Sequence, residues 1–122
     1  MKVLLSIKPE FAERIFDGSK KYEFRKNIFK KPEIATIVVY ASSPVQRVIG
    51  EFDIEAILSG EPENLWKETQ EFSGISEEFF FDYFSERNLG FAIKVKNVRR
   101  YQKPRCLRTS YNVNPPQSFC YV

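Results

Sequence analysis

The stretch KVLLSIKPEFAERIFDGSKKYEFRK, residues 2–26, predicts a strand, a short helix and a second strand in close succession. Its first six residues are a short run rich in apolar side chains. Pro9 suits the first position of a helix, and Gly18 suits the position just beyond its end. Tyr22 and Phe24 then alternate with charged residues, which is the pattern of a strand with one buried face.

Three more strands and two more helices are predicted further along the chain. Residues 34–42 are apolar on both faces, whereas residues 48–58 and 90–98 alternate apolar and charged side chains. The helices begin at Pro62 and after Ser76. The order β-α-β-β-β-α-α-β lacks the regular alternation of a parallel doubly wound sheet. It predicts an α+β fold, in which three short helices flank a small, partly closed β-barrel.

A chain of 122 residues, 43% of them apolar, is long enough for one domain with a substantial core, so residues 1–122 are predicted to form a single domain. Residues 102–122 contain Pro104, Pro115 and Pro116 and are predicted to be an irregular C-terminal tail. No stretch has the roughly 18 to 20 apolar residues that a membrane span needs. The first residues do not match a signal peptide. We therefore expect a cytoplasmic protein with no membrane partner.

The chain has no histidine and only two cysteines, Cys106 and Cys120. Two cysteines late in the chain do not make a disulfide framework, and we expect reduced thiols. Without histidine there is no Cys-His pair and no Ser-His-Asp triad, and too few soft ligands remain for a zinc site. No metal and no cofactor are expected. Any catalysis would have to use Lys, Glu, Ser, Thr or Tyr.

Charge is divided into three blocks along the chain. Residues 1–49 carry an excess of cations, residues 50–86 carry one lysine against eleven acidic residues, and residues 87–122 carry eight cations and no acidic residue. If strands from the two ends pair, their cations would form a basic surface that attracts phosphate. Alternatively, the acidic middle folds back and neutralises both ends. Block charge alone leaves both arrangements open.

Residues 18–26, GSKKYEFRK, contain the first candidate site. Glu23 and Arg25 lie two residues apart on a strand and share a face. They form either a surface ion pair worth about 0 to 1 kcal/mol or part of a pocket for an anionic or amide-like ligand. Lys20 can reach the same cleft only if it lies in the turn before the strand. As a base it would need a pKa lowered by burial or by neighbouring cations.

Further ligand-binding candidates are side chains with a charge, a hydroxyl or an aromatic ring: Lys8, Lys21, Tyr40, Ser42, Ser43 and Trp66. The first of these precedes a helix, where free backbone N–H groups favour anions. The serines either line the cleft or make an ordinary turn. The two aromatic residues could stack a base, or they pack in the core.

Four segments resemble successive parts of the ASCH domain, a branch of the PUA-like superfamily. SIKPEFAERIFDGSKKYEFRK (6–26) resembles its opening, and VVYASSPVQRVIGEFDI (38–54) resembles its next barrel strands. LWKETQEFSGISEEFFFDYF (65–84) is similar to its helical insertion, and PPQSFCYV (115–122) is similar to a tail in one subgroup. The resemblance implies a cleft between barrel and helices that binds RNA, a nucleotide or a modified nucleoside.

The same family includes amide hydrolases that act on N4-acetylcytidine, with a catalytic Lys, a Thr three residues later and a distant Glu. By this resemblance the Lys matches Lys20 and the Glu matches Glu71, while Glu23 occupies the Thr position. The primary hypothesis is RNA or nucleotide binding in a basic cleft. The alternatives are hydrolysis of N4-acetylcytidine or a similar small amide, and a protein-interaction module with a large exposed apolar patch. The oligomeric state is left open.

Overall fold

A computed structural model describes all 122 residues. The strands are β1 Val3–Ile7, β2 Tyr22–Arg25, β3 Thr36–Ala41, β4 Arg47–Gly60, β5 Gly90–Arg105 and β6 Phe119–Tyr121. The α-helices are α1 Pro9–Asp17, α2 Pro62–Thr69, α3 Glu77–Tyr83 and α4 Leu107–Tyr111, and a 3-10 turn at Gln70–Phe72 follows α2.

All six strands form one sheet in the order β2-β5-β4-β3-β1-β6. β1 runs parallel to β3, and every other neighbouring pair is antiparallel. The register between β4 and β5 shifts at three places. Such irregularities bend a strand and increase its twist, so the long pair curls into a half-barrel. The predicted α+β class with a partly closed barrel is confirmed.

β3 is buried on both faces, as its continuous apolar pattern predicts. Ile37 and Val39 belong to the main core, which also contains the buried side of α1. Val38 and Tyr40 point to the opposite face and pack with Leu107 of α4 in a second cluster. The sheet therefore carries a core on each side of its centre.

A third, mainly aromatic cluster lies between β2, α2 and α3. Phe24 packs edge-to-face on Phe80, with ring centroids 5.0 Å apart, and Phe84 and Leu65 complete the contact. Ser76 caps α3, because its hydroxyl accepts a hydrogen bond from the Phe79 N–H. This packing fixes α3 beside β2.

The C-terminal region differs from the prediction. Residues 102–122 are not an irregular tail: β5 continues to Arg105, α4 follows, and β6 pairs with β1. The domain therefore has four α-helices instead of three. β6 has only three residues, and its hydrogen bonds come from a strand at the other end of the chain, so its local sequence gave little strand signal. Both cysteines are free thiols, and none of the helices has the length and apolar character that crossing a membrane requires.

Candidate functional site

A cavity of about 310 Å³ opens between the end of β1, β2 and α3. It is lined by Ser6, Ile7, Lys8, Phe11, Lys20, Glu23, Phe24, Arg25, Ile75, Phe79, Tyr83 and Gln117. Four of the side chains proposed from the sequence are among them: Lys8, Lys20, Glu23 and Arg25. Three cations and one carboxylate thus meet around one hollow, Lys8 from the start of α1 and the other three from residues 20–25.

Lys20 lies in the turn before β2, which lets it face the same cavity as the strand residues. Its backbone N–H donates a hydrogen bond to the Arg14 carbonyl oxygen, 2.9 Å away. The side chain is only 1% exposed. Its Nζ donates to the Ser73 carbonyl oxygen at 2.7 Å and lies 4.7 Å from the centroid of the Phe24 ring. One carbonyl and an aromatic face therefore replace the water around this ammonium group.

Burial lowers the pKa of Lys20 to about 8, because the charged form loses its hydration. The Glu23 carboxylate opposes this shift, and the Arg14 guanidinium adds to it. At pH 7 roughly a tenth of the amine is therefore neutral. A lysine that acts as a base needs a lowered pKa, and burial lowers the pKa of Lys20.

Gly74 makes room for the Lys20 side chain. Its φ is +68°, and an added Cβ would lie 2.4 Å from the Lys20 Cβ and 2.5 Å from its Cγ. Any side chain at position 74 would therefore force the lysine stem to move. Gly74 thus leaves the space that the Lys20 stem occupies beside the cavity.

Glu23 and Arg25 form a part-buried ion pair at the cavity wall. Arg25 Nη1 lies 3.2 Å from Glu23 Oε2, and the side chains are 11% and 8% exposed, respectively. The surface ion pair considered from the sequence is therefore excluded. The other Glu23 oxygen, Oε1, accepts no hydrogen bond within the chain.

Arg25 also connects the two edges of the sheet. Besides Glu23, it donates to the Ser6 carbonyl oxygen at 3.4 Å and to the Ser118 carbonyl and hydroxyl oxygens at 3.2 and 3.0 Å. Ser118 immediately precedes β6, so one side chain from β2 reaches the strand at the far end of the sheet order. The C-terminal segment is held against the cavity by this arginine.

The rim of the cavity carries Lys8 and Tyr83. Lys8 is exposed and immediately precedes α1, and its Nζ lies 5.1 Å from the centroid of the Phe79 ring. Tyr83 ends α3, and burial raises the pKa of its hydroxyl, while the Arg25 charge opposes that shift. An accessible cation therefore stands at the entrance, above the buried charges.

The remaining candidates do not line the cavity: Lys21, Tyr40, Ser42, Ser43, Trp66 and Glu71. Tyr40 is 4% exposed and packs on the opposite face of the sheet, because neighbouring strand residues alternate between faces. Trp66 packs against Phe80 at a centroid distance of 4.9 Å. Both rings therefore pack in the core, which is one of the two roles considered from the sequence. The other prediction, that they stack a base in this cleft, is corrected.

The two serines and the two other charged candidates lie on separate surfaces. Ser42 and Ser43 are in the turn after β3, where the Ser42 carbonyl oxygen accepts hydrogen bonds from the next residues of that turn. Lys21 is exposed, with its Nζ 4.3 Å from the Phe72 ring centroid. Glu71 is exposed within the 3-10 turn. The cleft therefore contains none of these four residues, although the sequence predicted them as ligand-binding or catalytic.

Several lining residues were not predicted from the sequence. Phe11 lies on α1 and Phe79 on α3, each at a position typical of core residues. Their rings instead meet edge-to-face on the cavity wall, with centroids 5.1 Å apart. Gln117 lies in the segment predicted to be irregular. Tertiary contacts bring it to the site: the pairing of β6 with β1 and the hydrogen bonds from Arg25 to Ser118.

Of the two charge arrangements considered from the sequence, the neutralising one occurs along β4, whereas the cations around the cavity all belong to residues 1–49. Along β4, Glu51 pairs with Lys2 and Arg99, and Asp53 pairs with the same Arg99. The acidic middle therefore neutralises cations from both ends of the chain. Around the cavity, by contrast, the cations have only Glu23 as an acidic neighbour, so this surface stays basic.

A half-barrel sheet with a basic cavity beside its edge strand defines a small barrel-type α+β domain. The sequence model of the ASCH domain matches residues 5–105, and the chain belongs to the ASCH domain family. A protein named ASCH domain-containing ribonuclease, from Zymomonas mobilis, is 32% identical over 124 residues, which cover 99% of this chain and 84% of that protein.

Solved structures agree with this assignment. The crystal structure of ASCH from Zymomonas mobilis has a TM-score of 0.91 and 32% identity, and the match covers 99% of this chain and 87% of that one.

A further sequence relative is ATP synthase subunit alpha from Ureaplasma parvum, which contains a stretch that is 34% identical and matches 98% of this chain. The chain spans only 15% of that protein's length.

Proposed function

We propose that the chain binds single-stranded RNA and holds one nucleotide, or a modified nucleoside, in the cavity beside β2. The supporting observation is the convergence of Lys8, Lys20 and Arg25 with the single carboxylate of Glu23. A concave surface with excess positive charge attracts phosphate. The name of the Zymomonas relative, an ASCH domain-containing ribonuclease, also supports an RNA-related role.

Each group has a separate part in the proposed binding. Lys8 is exposed and contacts phosphate at the entrance. The free Oε1 of Glu23 accepts a hydrogen bond from an amino group of the base. Phe11 and Phe79 offer apolar ring surface to the base, as aromatic side chains do for unpaired nucleotides. The arginine is already engaged by carbonyl oxygens, so it mainly fixes the carboxylate.

The test compares two matched lysines, Lys8→Ala and Lys21→Ala. Both are exposed, and each has its Nζ near a phenylalanine ring, but only Lys8 lines the cavity. In a filter-binding titration with single-stranded RNA at low salt, we expect Lys8→Ala to weaken binding about five- to tenfold and Lys21→Ala to change it less than twofold. Equal effects, or no binding by the unaltered chain even at low salt, would refute the proposal.

A second candidate function is cleavage of the bound RNA, which the lowered pKa of Lys20 favours. The neutral amine would take the proton of a ribose 2′-hydroxyl, whose oxygen attacks the adjacent phosphorus. The bond from phosphorus to the 5′-oxygen of the next nucleotide breaks, and water protonates that oxygen. The products are a 2′,3′-cyclic phosphate and a free 5′-hydroxyl, and the lysine returns its proton to the solvent.

Cleavage is measured in single turnover, with enough protein to bind all of the RNA. The rate should rise with pH and level off near about 8, and Lys20→Met should abolish it. Glu71→Gln, an exposed change outside the cavity, is the control and should cleave normally. A rate that is unchanged in Lys20→Met would exclude the lysine as base.

The amide hydrolase alternative has less support, because Glu23 replaces the expected threonine and Glu71 lies outside the cavity. Release of cytidine from N4-acetylcytidine is its direct test. The protein-interaction alternative requires a continuous exposed apolar patch. The exposed large apolar side chains are Met1, Val45, Ile57, Phe72, Leu89 and Val98. No observation joins them into one continuous patch, so none favours that function.

A further inference from the structure

A second cavity, of about 540 Å³, lies between the loop after β2 and the loop that joins α3 to β5. Lys26 and Lys30 line it from the first loop, and Glu86 and Arg87 line it from the second. Its volume is in the range of roughly 300–1,000 Å³ that ligand pockets occupy. No part of the site described above uses these residues.

The two cavities meet at Tyr83. This residue lines the first cavity, and the Nζ of Lys26 lies 4.8 Å from the centroid of its ring. The charges of Arg25 and Arg87, one from each cavity, both act on the tyrosine hydroxyl. In addition, Arg25 is paired across the sheet with Phe91, which lines the second cavity. The two hollows are therefore neighbouring parts of one surface.

The cations of the second cavity have no acidic partner in the chain. Lys26, Lys30 and Arg87 are absent from the six ion pairs of the structure, and their side chains make no hydrogen bonds. Only Glu86 opposes their charge among the lining residues. Unpaired cations around a concave surface raise the local concentration of phosphate groups. On β5, by contrast, Lys94 pairs with Glu55, Arg99 pairs with Glu51 and Asp53, and Arg100 pairs with Glu13.

Apolar surface accompanies these cations. Leu89 is 50% exposed at the rim, and Ile28 and Phe91 also line the cavity. A base or ribose of a flexible strand can rest on such surface while its phosphate contacts a lysine or arginine. This combination of cationic and apolar groups is typical of grooves that follow single-stranded nucleic acid.

We infer that the second cavity is a further RNA subsite, which holds the phosphates adjoining the nucleotide in the first cavity, so that the strand passes over Tyr83. This inference rests on the proposed RNA binding and extends it from one nucleotide to a path along the surface. The path predicts that a longer strand gains affinity from Lys26, Lys30 and Arg87, whereas a single nucleotide does not.

The experiment removes the three cations together, as Lys26→Ala/Lys30→Ala/Arg87→Ala in the full chain. The control, Lys67→Ala/Lys96→Ala/Lys103→Ala, removes the same charge from exposed residues outside both cavities. Binding is measured with uridine monophosphate and with an oligouridylate of about twelve nucleotides, over a range of salt concentrations.

For the oligouridylate, we expect the cavity variant to bind at least about tenfold more weakly and the salt slope to fall by about two, since each phosphate contact on a single strand contributes about 0.7. Its affinity for uridine monophosphate should stay within about twofold of the unaltered chain. The control triple variant should retain most of the slope. These results together support the second subsite.

Three other outcomes overturn the inference. If the cavity variant and the control lose affinity for the oligouridylate equally, only net charge matters, and RNA binding itself stands. If uridine monophosphate binding falls as much as oligouridylate binding, the three cations act through the first cavity. If the unaltered chain binds neither probe at low salt, the proposed function fails as well. The first outcome therefore separates failure of the subsite from failure of RNA binding.

Discussion

Lys20 combines almost complete burial with a single carbonyl partner, so its protonation is linked to folding. Its pKa falls from 10.5 to about 8 in the folded chain. Between these values the unfolded chain binds the proton and the folded chain does not. The stability of the folded state should therefore rise as pH increases through this range.

A Lys20→Met variant lacks this titration and isolates its effect. Relative to that variant, the unaltered chain should gain on the order of 3 kcal/mol in free energy of unfolding between about pH 8 and 10.5. Urea unfolding at several pH values measures the difference. Lys21→Met, at an exposed neighbour, controls for loss of one charge. A constant difference between Lys20→Met and the unaltered chain would mean that the amine is not desolvated.

Gly74 and Gly18 separate two effects of a glycine substitution. Both have positive φ, +68° and +89°, but only at Gly74 would a new Cβ collide with another side chain, that of Lys20. We expect Gly18→Ala to cost about 1 kcal/mol, from backbone strain alone. Gly74→Ala should cost about 2 to 4 kcal/mol, because strain and overpacking add. Thermal and urea unfolding compare the two, and equal losses would contradict the role assigned to the lysine stem.

At the scale of elements, β4 and β5 are linked by a network of charges centred on Arg99. This arginine donates hydrogen bonds to Glu51 and Asp53, and the bond to Asp53 holds the pKa of that carboxyl well below its usual value. The pKa of Glu51 is also lowered, since hydrogen bonds from Arg99, Lys2 and Tyr101 outweigh its burial. Because both folded-state values are depressed, their stabilisation is present above the ordinary carboxyl pKa and is lost as the pH falls.

An Arg99→Met variant should be less stable than the unaltered chain, and this stability difference should shrink in acid. The difference should be present at about pH 6 and should shrink steadily as the pH falls below the ordinary carboxyl pKa. Urea midpoints over this range give the answer. Arg87→Met, at an exposed arginine without an ion pair, should differ from the unaltered chain by the same amount at every pH. If the stability difference of Arg87→Met also shrank in acid, the change seen with Arg99→Met could not be assigned to the hydrogen bonds of Arg99.

The longer elements were predictable because their patterns are local. Proline at its first position and glycine after its last mark α1, and the alternation of β2 and β5 marks their buried faces. β6 was not predictable, because three residues after two prolines carry no such pattern. Its strand geometry comes from hydrogen bonds to β1, which the sequence near it does not encode.

At the scale of the whole molecule, Arg25 joins the first and last strands of the sheet order. Removing it as Arg25→Met breaks hydrogen bonds to Ser6 and Ser118 and leaves the part-buried Glu23 unpaired. We expect a loss of about 3 to 5 kcal/mol in free energy of unfolding.

The double variant Glu23→Gln/Arg25→Met tests the cause of that loss. It should recover part of the lost stability, because no uncompensated carboxylate remains. Urea unfolding of the single and double variants provides the comparison. A single variant within about 0.5 kcal/mol of the unaltered chain would show that the sheet needs no link between its edges.

The site was predictable only where its residues share one element or adjoin it. Glu23 and Arg25 are on one face by strand parity, and Lys20 precedes them in the turn. Tyr40 lies in β3 and Ser42 follows it. Because β3 is three positions away from β2 in the sheet, the distance of both residues from the cavity depends on the strand order. Gln117 reaches the cavity for the same non-local reason.

The pairing of β1 with β6 also brings the ends of the described chain together. Lys2 and Val122 exchange two backbone hydrogen bonds, each 2.9 Å long. A host polypeptide could therefore enter and leave this domain at a single point, and insertion into a surface loop of another protein would require only short connecting linkers. A short linker between residues 122 and 1 would likewise close the chain into a ring without disturbing the sheet.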